Sequence, residues 1–280
     1  MKKIRVTVTE DLWRFLKKDS EEFGITNNRL CNYILEKLKY EKEIKLPENL
    51  EAETKLKKKI IQFDLNVANE NIYYDILKEN RVEIEAEFFR ELFQIYSSKF
   101  KYQRELFIFR EKVNLLLKGI KEKRKIKIFY LGDIYIINPY FIKREEQGDE
   151  NFIFSYNETL KQYENFKLKE LEVIDILQSK VEIIDKKYVE QVRKNFDPFL
   201  GNGNIIKVKL TTVGEALLKS LTNYRPKLKK KDGNIYSFEI SNENAKLYFS
   251  PFMKEAEILE PLSLREEMKK ALLETLDIYQ

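Results

Sequence analysis

Residues 125–176, KIKIFYLGDIYIINPYFIKREEQGDENFIFSYNETLKQYENFKLKELEVIDI, decide how the chain is read. Ile126, Ile128 and Tyr130 alternate with Lys125 and Lys127, the period-2 pattern of a strand with one buried face. Gly132-Asp133 marks a turn. Three further strand-like runs follow, IYIINPYFIK, FIFSYNE and FKLKELEVIDI, with a polar QGDEN turn between the first two. Four or five short strands in one such stretch predict a small, strongly bent antiparallel sheet or partly open barrel.

Just upstream, Leu106, Ile108, Phe109, Val113, Leu116, Leu117 and Ile120 form a wide apolar stripe that predicts one helix over 102–124. The KEKRK run at 121–125 falls at its C-terminal end, where cations suit the helix dipole, and is a candidate phosphate patch. This order of parts, a helix, then KIKIFY, the NPYFIK strand with Pro139, NFIFSYN and FKLKELEVIDIL, resembles the WYL domain, a small Sm-like β-barrel of prokaryotic regulators. Asn151-Phe152-Ile153 stands where that family shows Trp-Tyr-Leu, and Lys167 and Glu170 stand where it shows two arginines. The resemblance implies a surface for nucleic acid or a charged ligand on the late strands, with Tyr130, Tyr156 and Lys167 as ligand-binding candidates. Phe152 has no hydroxyl to donate, and Lys167 keeps a charge without the bidentate fork of arginine.

At the front of the chain, Ile4, Val6 and Val8 share one face of a strand while Lys3, Arg5, Thr7 and Thr9 share the other. Thr9 can cap the following helix, Glu10 and Asp11 suit its positive end, and Gly24 is placed to stop it. That helix carries Leu12, Phe15, Leu16 and Phe23 on one side. Thr26 caps a second helix from Asn27 to about Lys39, with Leu30, Tyr33, Ile34 and Leu38 apolar. One strand and two helices over residues 2–40 resemble the ribbon-helix-helix fold, in which two strands pair into a ribbon that enters the major groove. The resemblance turns Lys3, Arg5 and Thr7 toward bases and sets the amides near Thr26 and Asn27 against a phosphate.

The pattern recurs. After a charged, Pro47-containing linker at 41–57, Ile61, Phe63 and Leu65 repeat the parity of Ile4, Val6 and Val8 at an offset of 57. A helix with Ile72, Tyr73, Ile76 and Leu77 follows, then one with Phe88, Phe89, Leu92, Phe93 and Tyr96. An internal repeat would let one chain supply both strands of a ribbon, and the sequence leaves open whether the ribbon forms within one chain or between two. Its outward face differs, with Gln62, Asp64 and Asn66 replacing Arg5, Thr7 and Thr9, and Asp64 would repel a phosphate backbone, so the second copy is degenerate.

The C-terminal hundred residues predict a helix over 185–195, a linker with Pro198, Gly201 and Gly203, a strand IIKVKL, and a helix TTVGEALLKSL. A turn at Asp232-Gly233, strands over 235–240 and 246–252, and a closing helix after Leu259-Glu260-Pro261 complete an α+β plan. It resembles the C-terminal extension that follows WYL domains and mediates dimer contacts or oligonucleotide binding. The KLKKK run at 227–231 is expected in a loop there.

Composition excludes more than it proposes. Histidine is absent, which removes His-based bases, Ser-His and Cys-His pairs and most zinc sites. Eight glycines form no phosphate-cradling motif, no acid/base or metal-binding carboxylate motif stands out, and Cys31, the single cysteine, forbids an intrachain disulfide. The formal charge of +5 makes any nucleic-acid footprint local. The sequence therefore predicts a multidomain α+β, non-enzymatic protein without catalytic residues, metal or cofactor, cytoplasmic and homodimeric. Its domains are expected at 1–45 and 46–100 (tandem ribbon-helix-helix), 101–182 (helix and Sm-like WYL β-barrel) and 183–280 (linker helix and α+β extension). The expected partner is duplex DNA, as for a transcriptional regulator sensing a ligand. The alternative is single-stranded RNA and a CRISPR effector, because chains joining a ribbon-helix-helix region to a WYL domain resemble accessory modulators of RNA-targeting type VI systems. In that case Tyr130, Tyr140, Phe141, Phe152 and Tyr156 would be stacking platforms.

Overall fold

The computed structural model describes residues 2–39, 57–144, 149–201, 203–221 and 225–279. The expected linker at 41–57 lies, Lys57 apart, outside the described residues, as does part of the QGDEN turn. The described residues form a mixed α+β structure of ten helices and three antiparallel sheets. The chain divides into two compact units, residues 1–111 and 112–280.

In the first unit, β1 (Lys3–Thr9) leads into α1 (Glu10–Glu22) and α2 (Asn27–Leu38), and β2 (Lys58–Asp64) into α3 (Val67–Glu79) and α4 (Glu85–Ser98). Thr9, Thr26 and Asn66 each cap the following helix by accepting a hydrogen bond from the backbone N–H three residues on. Gly24 takes the left-handed φ of +64° that lets the chain turn out of α1. The strands β1 and β2 pair antiparallel inside one chain, Lys3 opposite Asp64 and Thr9 opposite Lys58. In this register Arg5 faces Gln62, its own counterpart at the 57-residue offset, so a local two-fold axis passes through that pair. The inward row, Ile4, Val6, Val8, Ile61 and Phe63, is buried, with Leu65 continuing it beyond β2. It packs on Leu30, Ile34 and Leu35 of α2 and on Phe89, Leu92 and Phe93 of α4. Each such side chain contributes about 1.5–3 kcal/mol on burial, so this sandwich of ribbon on helices is the unit's main stabilising element.

The helix expected over 102–124 is broken. α5 (Lys101–Ile108) and α6 (Arg110–Glu122) meet at Phe109, which leaves helical geometry at φ −94° and ψ 26° and packs edge-on against Phe23. The stripe also breaks: Ile108 and Leu116 are buried, whereas Leu117 is exposed.

In the second unit, β3 (Arg124–Tyr130), β4 (Asp133–Arg144), β5 (Asn151–Asn157), β6 (Gln162–Lys167) and β7 (Leu171–Lys180) form one sheet in the order β6-β5-β4-β3-β7. The edges β6 and β7 do not pair, so the sheet is open and no closed barrel forms among the described residues. FKLKELEVIDI, expected as one strand, is two. A 3₁₀ turn at Leu168–Glu170 separates them, held because Leu168 is buried and its carbonyl accepts from the buried Lys112 ammonium at 3.1 Å.

The chain continues through α7 (Lys186–Lys194), β8 (Ile205–Leu210), α8 (Thr212–Ser220), β9 (Lys227–Asp232), β10 (Ile235–Glu239), α9 (Asn242–Phe249), β11 (Ala256–Glu260) and α10 (Leu262–Ile278). The last sheet runs β11-β8-β10-β9. Two expectations fail here. Residues 246–252 are helical, because Ser241 caps α9 and Ala245, Tyr248 and Phe249 bury one helical face, the i, i+3, i+4 pattern. KLKKK is an exposed edge strand, where lysines discourage further pairing. No helix among the described residues is long and apolar enough to cross a membrane.

Candidate nucleic-acid interface

The outward face of the ribbon carries the charged candidates. Lys3, Arg5 and Thr7 of β1 are all exposed, and across from them lie Asp64, Gln62 and Ile60 of β2. Lys3 and Arg5 form no ion pair among the described residues, so their charge is uncommitted. Lys59, at the far end of the ribbon, instead lies over the Trp13 ring at 5.8 Å, a cation–π contact.

Thr26 and Asn27 are exposed at the start of α2, where the Thr26 hydroxyl accepts from Arg29 N–H at 3.2 Å. The ribbon fixes this helix end directly. Asn28 Oδ1 accepts from Asp64 N–H at 2.7 Å, and Asn32 Nδ2 donates to the Asp64 carbonyl at 2.9 Å. Asn27 also borders a cavity of about 280 Å³ shared with Trp13, Ile60 and Gln62. Lys3, Arg5 and Thr7 thus occupy one surface, with the capped helix start tied to the ribbon end that carries Asp64. The corresponding end of α4 has Ile84 at its cap position, makes no side-chain cap, and carries Glu85 and Glu87 in its first turn. That arrangement disfavours an anion.

The candidates on the central sheet do not converge. Tyr156 faces Tyr163 and Lys167 faces Phe152 on the β5–β6 ladder, four positions apart, which is roughly 13 Å. Lys167 is 3.1 Å from Glu150, a carboxylate it shares with Lys169 at 3.5 Å. Tyr130 packs edge-on against Phe166, with its hydroxyl 3.4 Å from Glu170. Of the expected stacking platforms, Tyr140, Phe141 and Phe152 are 6%, 7% and 1% exposed and offer no open face to a base. Tyr140 and Phe141 pack on Phe154, and the Tyr140 hydroxyl donates to the Glu182 carbonyl at 2.9 Å.

The basic runs are largely paired. In KEKRK, Lys125 lies 2.8 Å from Glu158 and 2.9 Å from Glu182, contacts that hold its ammonium above the usual range. In KLKKK, Lys229 pairs with Glu239 at 2.5 Å and Lys231 with Glu215 at 3.3 Å. Cys31 is buried, and loss of solvation pushes its thiol up to about 12, so it packs rather than reacts.

Sequence reasoning passed over Arg90 of α4. It sits in AEFFRELFQIY among apolar residues and reads as an ordinary solvated-face cation. Its Nε is buried and has no hydrogen-bond partner among the described residues. Only the three-dimensional register against Thr7 and Thr9 gives it meaning.

No family model matches the chain, and no curated protein matches it. Among solved structures it resembles one described as the crystal structure of a CRISPR Cas-related protein, with a TM-score of 0.62 at 16% identity, covering 99% of this chain and 94% of the other. That likeness is one of fold, extending over both chains almost end to end. A second structure, proteasome accessory factor B/C (PafBC) of Arthrobacter aurescens, matches with a TM-score of 0.27 at 13% identity over 96% of this chain and 49% of the other.

Proposed function

We propose that this chain is a nucleic-acid-binding regulatory protein whose intrachain ribbon is the contact surface. In this reading the first unit is a tandem ribbon-helix-helix module, the open five-stranded sheet is a WYL-like domain, and the last sheet with α8–α10 is its extension. The carrying observation is the outward face of β1, where Lys3, Arg5 and Thr7 are exposed and both cations are unpaired among the described residues. A two-stranded ribbon with such a face suits the major groove of a duplex, and the capped start of α2 suits a backbone phosphate. Because both strands come from one chain, a single copy presents a complete but one-sided ribbon: the basic half reads, and the Gln62/Asp64 half closes the fold.

The full-length likeness of fold to a CRISPR Cas-related protein favours a second reading, service as an accessory factor in such a system. In that reading the nucleic acid is single-stranded RNA and an effector protein is a partner. The burial of Tyr140, Phe141 and Phe152 argues against base stacking on the central sheet and returns attention to the ribbon. A homodimer belongs to the same proposal. The exposed Leu272 and Leu276 of α10, packed antiparallel on a second copy about Leu272, would set Lys270 against Glu274.

Lys3→Ala with Arg5→Ala, measured by anisotropy against labelled duplex DNA and single-stranded RNA at several salt concentrations, tests the reading. Each substitution is expected to cost about 1–3 kcal/mol if it removes a base contact, and to lower the salt slope if it removes a phosphate contact. Affinity unchanged for both polymers overturns the assignment, and a loss confined to one polymer chooses between the two readings.

A further inference from the structure

The local two-fold axis of the ribbon allows a comparison inside the molecule. By repeat position, Asp64, Asn66 and Asn69 answer to Thr7, Thr9 and Leu12 at an offset of 57, and Asn32 of α2 answers to Arg90 of α4 at 58. On one side of the axis Asn32 ties a network together, in which Asn69 Oδ1 alone keeps no partner among the described residues. Asn32 Nδ2 donates to the Asp64 carbonyl at 2.9 Å, and its Oδ1 accepts from Asn66 N–H at 2.8 Å and from Asn69 Nδ2 at 3.0 Å.

On the other side no such network closes. Leu12 has no amide to offer, and an arginine replaces the asparagine. A cavity of about 130 Å³ opens there, bordered by Thr7, Thr9, Leu12, Lys58, Arg90 and Gln94. Among the described residues the lining holds two cations and no carboxylate. The Arg90 Nε is buried without a hydrogen-bond partner, and neither Arg90 nor Lys58 forms an ion pair among the described residues. A buried N–H left unmade is costly, and native folds keep such groups where something else satisfies them. The space is several times what one water needs and accommodates a tetrahedral oxyanion.

We infer that this cavity is an oxyanion site that takes a phosphate group, with the Arg90 guanidinium and the Lys58 ammonium as its cationic partners and Gln94 and Thr9 as further donors. An arginine fork beside a lysine suits a phosphate's charge and geometry. The site lies at the Thr9–Lys58 end of the ribbon, so the phosphate is assigned to the backbone of a strand gripped by β1 and β2. That assignment of source rests on the nucleic-acid reading above; the oxyanion chemistry does not.

The test uses the full chain with Lys58→Ala, an exposed position, and Arg90→Gln, beside the Lys3→Ala/Arg5→Ala protein. In the first arm, inorganic phosphate is titrated against chloride at matched ionic strength while Tm is followed. Phosphate is expected to raise the Tm of the unaltered chain and to lose that effect in both cavity variants, since a ligand stabilises only the state that binds it. In the second arm, binding of labelled duplex is measured against salt. Each cavity variant should flatten the slope of log K on log salt by about 0.9 for the lost phosphate contact.

An equal phosphate response in all proteins overturns the site. A phosphate response lost in the cavity variants with duplex binding unaltered keeps the site, gives it to a free phosphate or phosphorylated small molecule, and rejects the backbone source. If Lys3→Ala/Arg5→Ala leaves duplex affinity untouched, the ribbon reading fails alone, and the phosphate arm still judges the cavity.

Discussion

Replacing Asn32 by Ala is expected to loosen the ribbon from α2 far more than the loss of one polar side chain on a helix suggests. Asn32 is 3% exposed, and its amide meets four groups: the Asn28 and Asp64 carbonyls, Asn66 N–H and Asn69 Nδ2. Asn28 retains its place in the helix, and Asn69 keeps its bond to the Asn32 carbonyl at 3.0 Å. The exposed cost therefore falls on the Asp64 carbonyl and the Asn66 N–H. Each buried group left unsatisfied costs about 1–3 kcal/mol, and partial entry of water at the half-buried Asp64 and Asn66 lowers both shares. The sum is about 2–4 kcal/mol. Trp13, the only tryptophan, sits on α1 inside the same unit, so its fluorescence in urea follows this unit while far-UV circular dichroism follows the whole chain. The Trp13 transition should move to lower urea, with a smaller shift in the remaining ellipticity. A change under about 1 kcal/mol, within the range of unremarkable substitutions, would mean that the network does not hold the ribbon.

The remaining predictions probe other buried groups. Arg104 grips Asp19 through Nε at 2.6 Å and Nη2 at 3.1 Å, and Tyr96 donates to the same carboxylate at 2.8 Å. Arg104→Met should cost about 3–5 kcal/mol by stranding the Asp19 charge, whereas adding Asp19→Leu should recover much of it, and equal losses in single and double variants would refute the pairing. Native Cys31 should resist iodoacetamide at pH 8 and react only as the first unit opens, so prompt native labelling would contradict its burial. Burial raises the Glu164 carboxyl above its usual 4.5, which favours the protonated form when folded. This group's stabilising contribution is therefore full below 4.5 and is lost as pH rises through the raised folded value. Glu164→Gln should be neutral or stabilising at pH 7 and should reduce the gain on acidification between those limits, as read by urea midpoints; a large loss at pH 7 would show instead that the charge is needed.

What could be read from the letters followed physical scale. Ile4, Val6 and Val8 against Lys3, Arg5 and Thr7 state a one-sided strand outright, and the caps Thr9 and Thr26 act over three residues, so the elements of the front unit were largely legible, although the cap at Asn66 was not read. The 57-residue offset made a ribbon within one chain conceivable but left open whether it forms there or between two chains, and only the pairing of β1 with β2 decides it. Failures came where distant partners decide. The break at Phe109 depends on Phe23, the turn at Leu168 on Lys112, and the helical state of 246–252 on a cap and a core face that an aromatic-rich stretch disguises as strand. Site residues followed the same rule. The charge of Lys3 and Arg5 needs only exposure, but Lys167, Lys125 and Lys229 look equally free until Glu150, Glu158 and Glu239 arrive from elsewhere in the fold.

The internal repeat supplies the standard against which departures become informative. Where two copies keep the same job, the pairs stay matched, as Leu30 with Phe88, Ile34 with Leu92 and Leu38 with Tyr96 do along the buried faces of α2 and α4. The second half lacks the basic outward row and the side-chain helix cap of the first, and it carries the asparagine network at Asn66 and Asn69. The first keeps its cations and, at the related position, has a cavity with an unsatisfied arginine. Each end thus leaves one buried polar atom without a partner among the described residues, Asn69 Oδ1 at one and Arg90 Nε at the other, and the Arg90 end carries the cavity. An asparagine at position 90 would offer the same backbone groups partners without burying a guanidinium N–H, so the arginine there costs stability unless an anion meets it.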